Sequence, residues 1–504
     1  MSDKFESQYD LLIIGGGATG SGIALDATLR GLKTILVEQN DFAEGTSSRS
    51  TKLVHGGVRY LEDAVKHFDK EQFDLVKEGL RERYKFLHNA PHLSYKVSLL
   101  TPLYHWWEVP YIYAGLFLYD IISGKYRIGK STIVCRKEII KNDPSIKKKG
   151  LKVAVKYYDG AFNDARMVIA LLQSAEEKGA VVKNYTEVKN LIKKDGKVIG
   201  ATIYDKINDK YQEIYAKYTV NATGAFSDNI RKMADKSLKN IIRPSSGTHI
   251  VLDKKYLPLK SGIMIPKTKD GRVLFMLPYL GKCLVGTTDN EADIQENPVV
   301  PENDIKYLLE HINQYFDIQI TKKDILSSFT GFRPLIDLNH EKNSASLIRE
   351  HIVEKLPCGL ITIAGGKWTT YRNMAEGLVD KLTDKPCITH DYKVVGSRNN
   401  LKTIKKDILL ILKDSDLCDR LTSLYGDRVF KIINIAKKEG FDFIDKKHKI
   451  LKAEILYCIR YEYVKKPFDF LTRRVMLSYT DEKESKKITN DISTIIKQEF
   501  GIIF

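Results

Sequence analysis

The 504-residue sequence reads as an α/β protein in which a Rossmann-like dinucleotide-binding domain is joined to a β-rich domain and a helical C-terminal domain. Three observations predict this. Residues 11–39 hold an apolar strand, a glycine turn, a helical stretch and a second strand in the order that binds dinucleotides. Residues 241–330 alternate short apolar runs with turn residues, and beyond Pro386 the chain becomes charged and helical without glycine motifs.

Taken in order, residues 11–14 form the first strand, and Gly15, Gly17 and Gly20 satisfy G-x-G-x-x-G. The first glycine allows a tight turn, the second lets backbone approach a pyrophosphate, and the third lets helix pack on strand. The helix predicted from Ser21 to about Arg30 turns its N-terminus to the anion, Gly31 stops it, and Glu38 ends the strand 34–37 where a ribose ligand belongs. Residues 61–88 carry Phe73, Val76, Leu80, Tyr84 and Leu87 at helical spacing, which predicts one amphipathic helix ending near Pro91. Residues 97–122 concentrate Trp106, Trp107 and four tyrosines between basic flanks. They read either as core beneath a domain interface or as an interfacial membrane contact. A helix over 163–178 with Asp164 as cap, a strand from Ala180, a hairpin at Asp195-Gly196 and a strand at 218–220 lead into Asn221-Ala222-Thr223-Gly224. Turns are expected at Ser246-Gly247, Asp270-Gly271 and Leu280-Gly281, a strand over 360–364 feeding Gly365-Gly366-Lys367, and a helix over 401–413. The expected division is 1–95, 150–240 and 330–384 as a discontinuous dinucleotide domain, 96–149 and 241–329 as a substrate- and membrane-facing domain, and 385–504 as the helical domain.

Lysine and arginine number 81 against 64 acidic residues, a net charge of +17. Such an excess suits anionic partners, although a generally lysine-rich surface produces the same number. No basic run interleaved with aromatics marks a nucleic-acid site, so no nucleic-acid partner is expected. Six scattered cysteines without a C-x-x-C pair suit a reducing compartment and no metal site. Asp3, Glu6 and Asp10 precede the first apolar run, so no signal peptide is expected, and no uncharged apolar segment reaches spanning length. Lys367 is followed by Trp368 and lacks the upstream glycines of a P-loop, which argues against nucleotide hydrolysis.

Four further motifs lie in order along the chain. Residues 46–60 read TSSRSTKLVHGGVRY, residues 221–225 NATGA, residues 331–335 GFRPL and residues 364–372 AGGKWTTYR. With the first glycine unit they resemble the FAD-dependent glycerol-3-phosphate dehydrogenases, quinone-linked respiratory enzymes within the D-amino-acid-oxidase-like flavoproteins. The resemblance covers residues 8–384 strongly and continues more weakly through the helical domain.

That resemblance implies FAD held by Gly15, Gly17, Gly20 and Glu38, with Thr46, Ser47, Ser48 and Lys52 supplying donors to the diphosphate and ribityl chain. It further implies Gly56 in a turn at the flavin, Gly224 on the adenosine side, and Gly366 and Thr369 in the loop at the flavin ring. For sn-glycerol 3-phosphate it implies Arg59, Tyr60, His249, Arg333, Arg349 and Lys367, several separate cations suiting a phosphate dianion better than a carboxylate. Arg349 rests on a short match and also reads as a surface arginine. His55, Arg333 and Lys367 are the expected catalytic set. His55 is either the base that takes the C2 hydroxyl proton or a cofactor hydrogen-bonder, and His249 is the second candidate base. Electrons are expected to pass to a membrane quinone, from an enzyme attached peripherally to an anionic surface at the inner face of the cytoplasmic membrane. A homodimer is left open. The alternatives are an oxidase reducing O₂, an oxidoreductase for a carboxylated amine, or a flavin-containing binding module.

Overall fold

In the computed structural model the described residues are 8–142, 145–257, 261–266, 268, 271–338 and 350–501, with the side chains of 59, 60 and 62–64 outside that set. The first sheet orders its strands His351–Lys355, Ile361–Gly365, Lys210–Asn221, Tyr9–Ile14, Thr34–Val37 and Val181–Lys183. From Ile361–Gly365 onward neighbours are parallel, as in a doubly wound nucleotide-binding sheet. Its strands are apolar on both faces because both are covered, Leu11 and Ile13 by helices such as Ala18–Leu29 and Asp164–Glu176, and Leu12 mainly by the antiparallel strands that carry Val188, Ala201 and Ile203; Leu11, Leu12 and Ile13 are wholly buried. The outer half of Lys210–Asn221 leaves this sheet and pairs antiparallel with Lys197–Asp205, which pairs with Thr186–Lys194 through the Asp195-Gly196 turn.

The second sheet is mixed. Ile242–Asp253 pairs antiparallel with both Ile325–Ile336 and Lys282–Gly286, and Ser94–Leu103 pairs antiparallel with Val153–Phe162. Strands on both sides of residues 150 and 330 therefore share one sheet, and Ile325–Ile336 runs through the boundary expected at 330. Past residue 385 the chain forms Leu401–Leu412, Ser415–Tyr425, Val429–Glu439, Lys452–Tyr461 and Glu482–Glu499 around a common apolar core.

Local chemistry redirects several expected elements. Residues 61–88 do not make one helix. Val58–His67 and Lys70–Asn89 are separated at Phe68, whose φ is 52°, and the Asp69 carboxylate caps the second helix by accepting from the Glu71 and Gln72 amides. Asn163, not Asp164, caps Asp164–Glu176, its side chain accepting from the Arg166 amide at 3.2 Å. Ser246-Gly247 is not a turn but lies within Ile242–Asp253. A Cβ on Gly247 would sit 2.7 Å from Arg333 Nη2, so this glycine makes room for a side chain. Leu280-Gly281 does turn, with φ of 46° and 74°. Asp270 lies outside the described residues. The 97–122 stretch divides into the strand Ser94–Leu103 and the helix Glu108–Ser123. Val109, Leu116 and Tyr119 are buried there, while Trp106, Trp107, Tyr111, Phe117 and Ile121 are exposed. Among the described residues no helix is long and apolar enough to cross a membrane.

Candidate active site

The first strand ends at Ile14, and the chain turns at Gly15 with φ of 112°, where a Cβ would lie 2.6 Å from the Ala222 carbonyl of the neighbouring strand's turn. One helical turn on, a Cβ at Gly20 would lie 1.9 Å from the Gly15 carbonyl, so only glycine lets Ala18–Leu29 pack here. The Gly16 amide donates to Glu38 Oε2 at 2.7 Å and the Asn40 amide to Oε1 at 3.0 Å, fixing the carboxylate at the end of the second strand. Burial raises the Glu38 carboxyl above its ordinary range, and the two amides work against that rise. Around this turn opens a cleft of about 560 Å³ lined by Gly17, Glu38, Thr46, Ser47, Gly224 and Gly366. Helix-start amides beside a carboxylate held at the end of the second strand fit a dinucleotide.

The Ser/Thr-rich run divides between the cleft and the core. Thr46 and Ser47 line the cleft. The Thr46 hydroxyl donates to the Phe332 carbonyl, Ser47 Oγ accepts from the Ala18 amide at 2.9 Å, and the Ser47 carbonyl accepts from Trp368 Nε1 at 3.1 Å. Ser48 is wholly buried. Lys52, expected to reach the diphosphate, points the other way: Nζ donates to Asp164 Oδ2 and to the Ser48 carbonyl, both at 2.6 Å. A lysine that is 2% exposed needs a carboxylate partner, and Asp164 supplies it.

A second cavity of about 1010 Å³ adjoins the first and shares Thr46, Gly366, Lys367 and Trp368 with it. Its walls carry His55, His249, Arg333 and Thr369, together with Arg49 and Lys66, which sequence reasoning did not select. Arg49 was legible only as an arginine among the short donors of residues 46–52; nothing local marks Lys66. Arg333 Nη1 donates to Asp289 Oδ1 at 3.1 Å and Nη2 donates to Thr287 Oγ1 and the Thr288 carbonyl, each at 3.1 Å. His249 stacks on Phe329 with ring centroids 5.1 Å apart, and its Nε2 lies 3.0 Å from Thr51 Oγ1. Burial, then Lys52 and Arg333, hold its imidazole well below the usual histidine range. His55 is pushed down to about 4, by burial first and then by Lys367 and Arg83. Its carbonyl accepts from Thr369 Oγ1 at 3.4 Å, which ties the His55 turn to the loop that follows Gly366. Arg59 and Tyr60 lie in the first turn of Val58–His67 with side chains outside the described residues, and Arg349 lies wholly outside them.

Two adjoining cavities, one shaped for a dinucleotide and one lined by cations and imidazoles, meet at Lys367. The FAD dependent oxidoreductase family matches residues 10–372, and the family described as the C-terminal domain of alpha-glycerophosphate oxidase matches residues 387–502. A mitochondrial protein of Caenorhabditis elegans, named probable glycerol-3-phosphate dehydrogenase, is 40% identical over 517 residues, 98% of this chain and 71% of that protein. The chain belongs to the FAD-dependent glycerol-3-phosphate dehydrogenase family. The mitochondrial glycerol-3-phosphate dehydrogenase of Homo sapiens is 38% identical over 520 residues, 98% of this chain and 71% of the human protein. Among solved structures, the glycerol-3-phosphate dehydrogenase from Bacillus halodurans complexed with FAD superposes with a TM-score of 0.80 at 31% identity, covering 100% of this chain and 92% of that one. The L-alpha-glycerophosphate oxidase of Mycoplasma pneumoniae, at 17% identity and a TM-score of 0.57, shares the fold. FAD is the cofactor of this dehydrogenase family, and the D-amino-acid-oxidase-like α/β fold with its helical C-terminal domain is the one expected from the motifs.

Proposed function

We propose that this dehydrogenase oxidises sn-glycerol 3-phosphate to dihydroxyacetone phosphate and passes the electrons to a membrane quinone. The observation that carries the reading is the convergence of His55, Arg333 and Lys367 on a cavity that opens into the dinucleotide cleft. FAD bound in that cleft supplies the acceptor for the C2 hydride. Arg333 and Lys367 hold the phosphate dianion, with Arg59, Tyr60 and Arg349 as further ligands and His249 on the same wall as Arg333. In exchanging Asp289 for a phosphate oxygen, Arg333 replaces one charge-assisted hydrogen bond with another.

His55 takes the C2 hydroxyl proton. Held near 4, its imidazole is neutral at pH 7 and has a lone pair to offer, yet it is a weak base. Arrival of the dianion offsets the Lys367 charge that helps hold it down, so the base strengthens only when substrate is present. Gly15, Gly17 and Glu38 would hold the cofactor's diphosphate and adenosine ribose, Gly20 would let the helix pack behind them, Thr46, Ser47, Gly224 and Gly366 would supply further contacts from the lining of the same cleft, and Thr369 would face the flavin from the adjoining cavity.

Trp106, Trp107 and Tyr111, exposed at the start of Glu108–Ser123, form the membrane contact at the inner face of the cytoplasmic membrane, with the basic flanks on anionic headgroups. Trp107 and Tyr111 also line the second cavity, which favours electron delivery to a quinone in that membrane over reduction of O₂. Anaerobic addition of sn-glycerol 3-phosphate is expected to bleach the bound flavin, while glycerol and amino acids leave it oxidised. Bleaching by an amino acid, or by no compound tried, overturns the reading, and stoichiometric peroxide in air moves it to the oxidase.

A further inference from the structure

Beneath His55 lies a buried polar chain that reaches the second cavity only at Asp159. The Gly56 amide donates to Tyr119 Oη at 2.8 Å, the Tyr119 hydroxyl donates to Asp159 Oδ1 at 2.9 Å, and Arg83 Nη1 donates to the same carboxylate oxygen at 2.7 Å. Tyr119 and Arg83 are each 1% exposed and Asp159 is 2% exposed, so none of these bonds competes with bulk water. The four groups come from four separate elements. Gly56 lies in the turn before Val58–His67, Arg83 in Lys70–Asn89, Tyr119 in Glu108–Ser123 and Asp159 in Val153–Phe162.

The packing makes the arrangement exclusive. A Cβ at Gly56 would lie 2.7 Å from Leu80 Cγ and 2.9 Å from the Tyr119 hydroxyl, and a Cβ at Gly79 would lie 3.0 Å from Gly56 Cα. The turn is thus pressed on Lys70–Asn89 by two facing glycines and pinned on its other side where Thr369 donates to the His55 carbonyl. The Gly56 amide is satisfied by a side chain rather than by a ladder or a helix, so the peptide after His55 is held from both ends, its N–H by the Tyr119 hydroxyl at 2.8 Å and its carbonyl by Thr369 at 3.4 Å.

We propose that Tyr119 is a positioning residue for the reaction: it fixes the His55-Gly56 peptide, and Asp159, neutralised by Arg83, fixes the tyrosine. This rests on the reading of His55 as the base. A displacement of an ångström at a catalytic group costs rate rather than substrate affinity, so the signature lies in the split between kcat and KM.

The test is a double-mutant cycle of Tyr119→Phe with His55→Ala, read as the anaerobic rate of flavin reduction and the KM for sn-glycerol 3-phosphate in FAD-replete protein. Tyr119→Phe keeps the ring and removes both hydrogen bonds. It is expected to slow reduction about tenfold, the size of one net hydrogen bond, with KM within twofold. In the His55→Ala background the same substitution is expected to change the rate less than twofold. An unchanged rate in Tyr119→Phe, an equal loss in both backgrounds, or a loss confined to KM overturns the proposal while leaving His55 as base. A full rate in His55→Ala alone removes the base assignment, and the proposal falls with it.

Discussion

Arg333 shows how much of a binding site can be built before any ligand arrives. Its guanidinium is oriented by Thr287 and the Thr288 carbonyl and paired with Asp289, the carboxylate that the proposed substrate phosphate would replace, so the donor is in place beforehand. Arg333→Ala removes a charge-assisted contact of about 1.5–3 kcal/mol. KM for sn-glycerol 3-phosphate is expected to rise tenfold or more in steady-state assays with FAD retained; loss of FAD with unchanged KM would reassign this arginine to the cofactor. The imidazoles carry a second expectation. Burial, helped by Arg166, pushes His92 down to about 3, His55 is pushed down to about 4, and His249 is held well below its usual range. Each binds its proton more weakly folded than unfolded, so the unfolded chain takes up more protons and stability falls as pH drops below about 6.5. For His92 this amounts to about 2 kcal/mol between neutral pH and pH 5. A thermal midpoint that holds steady from pH 7 to pH 5 would contradict it, and a His92→Gln variant should flatten the profile.

Elements differ in how openly the sequence declares them. The strand, glycine turn, helix and strand of the first 38 residues are legible because each glycine answers a local steric need and each strand is buried on both faces. The break between Val58–His67 and Lys70–Asn89 is not, since neither glycine nor proline marks it and the apolar spacing continues across it. Lys52 fails for another reason: in a run of short donors it looks like an anion ligand, and only a partner 112 residues away claims it for the core. The buried chain under His55 was equally invisible, because Arg83, Tyr119 and Asp159 meet only through tertiary structure. Glu108–Ser123 has a packed face with Leu116 and Tyr119, as the core reading expects, and an exposed face with Tyr111, Phe117 and Ile121, beside exposed Trp107 just before it, which is the face proposed for the membrane. Replacing Trp106 and Trp107 by serine is therefore expected to weaken flotation with anionic liposomes and quinone-dependent turnover, while reduction of a soluble dye is spared. Precipitation of the double variant, or salt-insensitive binding of the parent protein, would place the membrane contact elsewhere.

Taken as a whole, the molecule ties its helical C-terminal domain to the cofactor side through buried charge. Arg474 forks onto both oxygens of Asp41 at 2.8 and 2.9 Å, and Arg473 Nε donates to the same carboxylate at 2.5 Å. Burial alone would raise the Asp41 carboxyl, but the two arginines hold it down at about 2. Asp41 stands one residue beyond Asn40, whose amide orients Glu38, so the clamp reaches the adenosine end of the cleft. Arg474→Ala leaves a wholly buried carboxylate half-paired, which costs about 3–5 kcal/mol. A lowered thermal midpoint together with faster FAD loss on gel filtration is expected. Normal FAD retention with melting confined to the C-terminal helices would show that the clamp serves that domain alone.

His249 and Arg333 stand on adjacent strands of one antiparallel ladder, with Phe329 opposite His249 and Ser245 opposite Arg333. Their separation is written into backbone hydrogen bonds rather than into a mobile loop, so this wall of the cavity acts as a rigid gauge. If Arg333 takes the phosphate and His249 meets the other end of the substrate, as proposed, a ligand one carbon longer or shorter cannot recruit both side chains by bending the protein, since the backbone would first have to give up rungs of the ladder. On that reading, selectivity for chain length would be set when the second sheet forms, before any substrate is encountered.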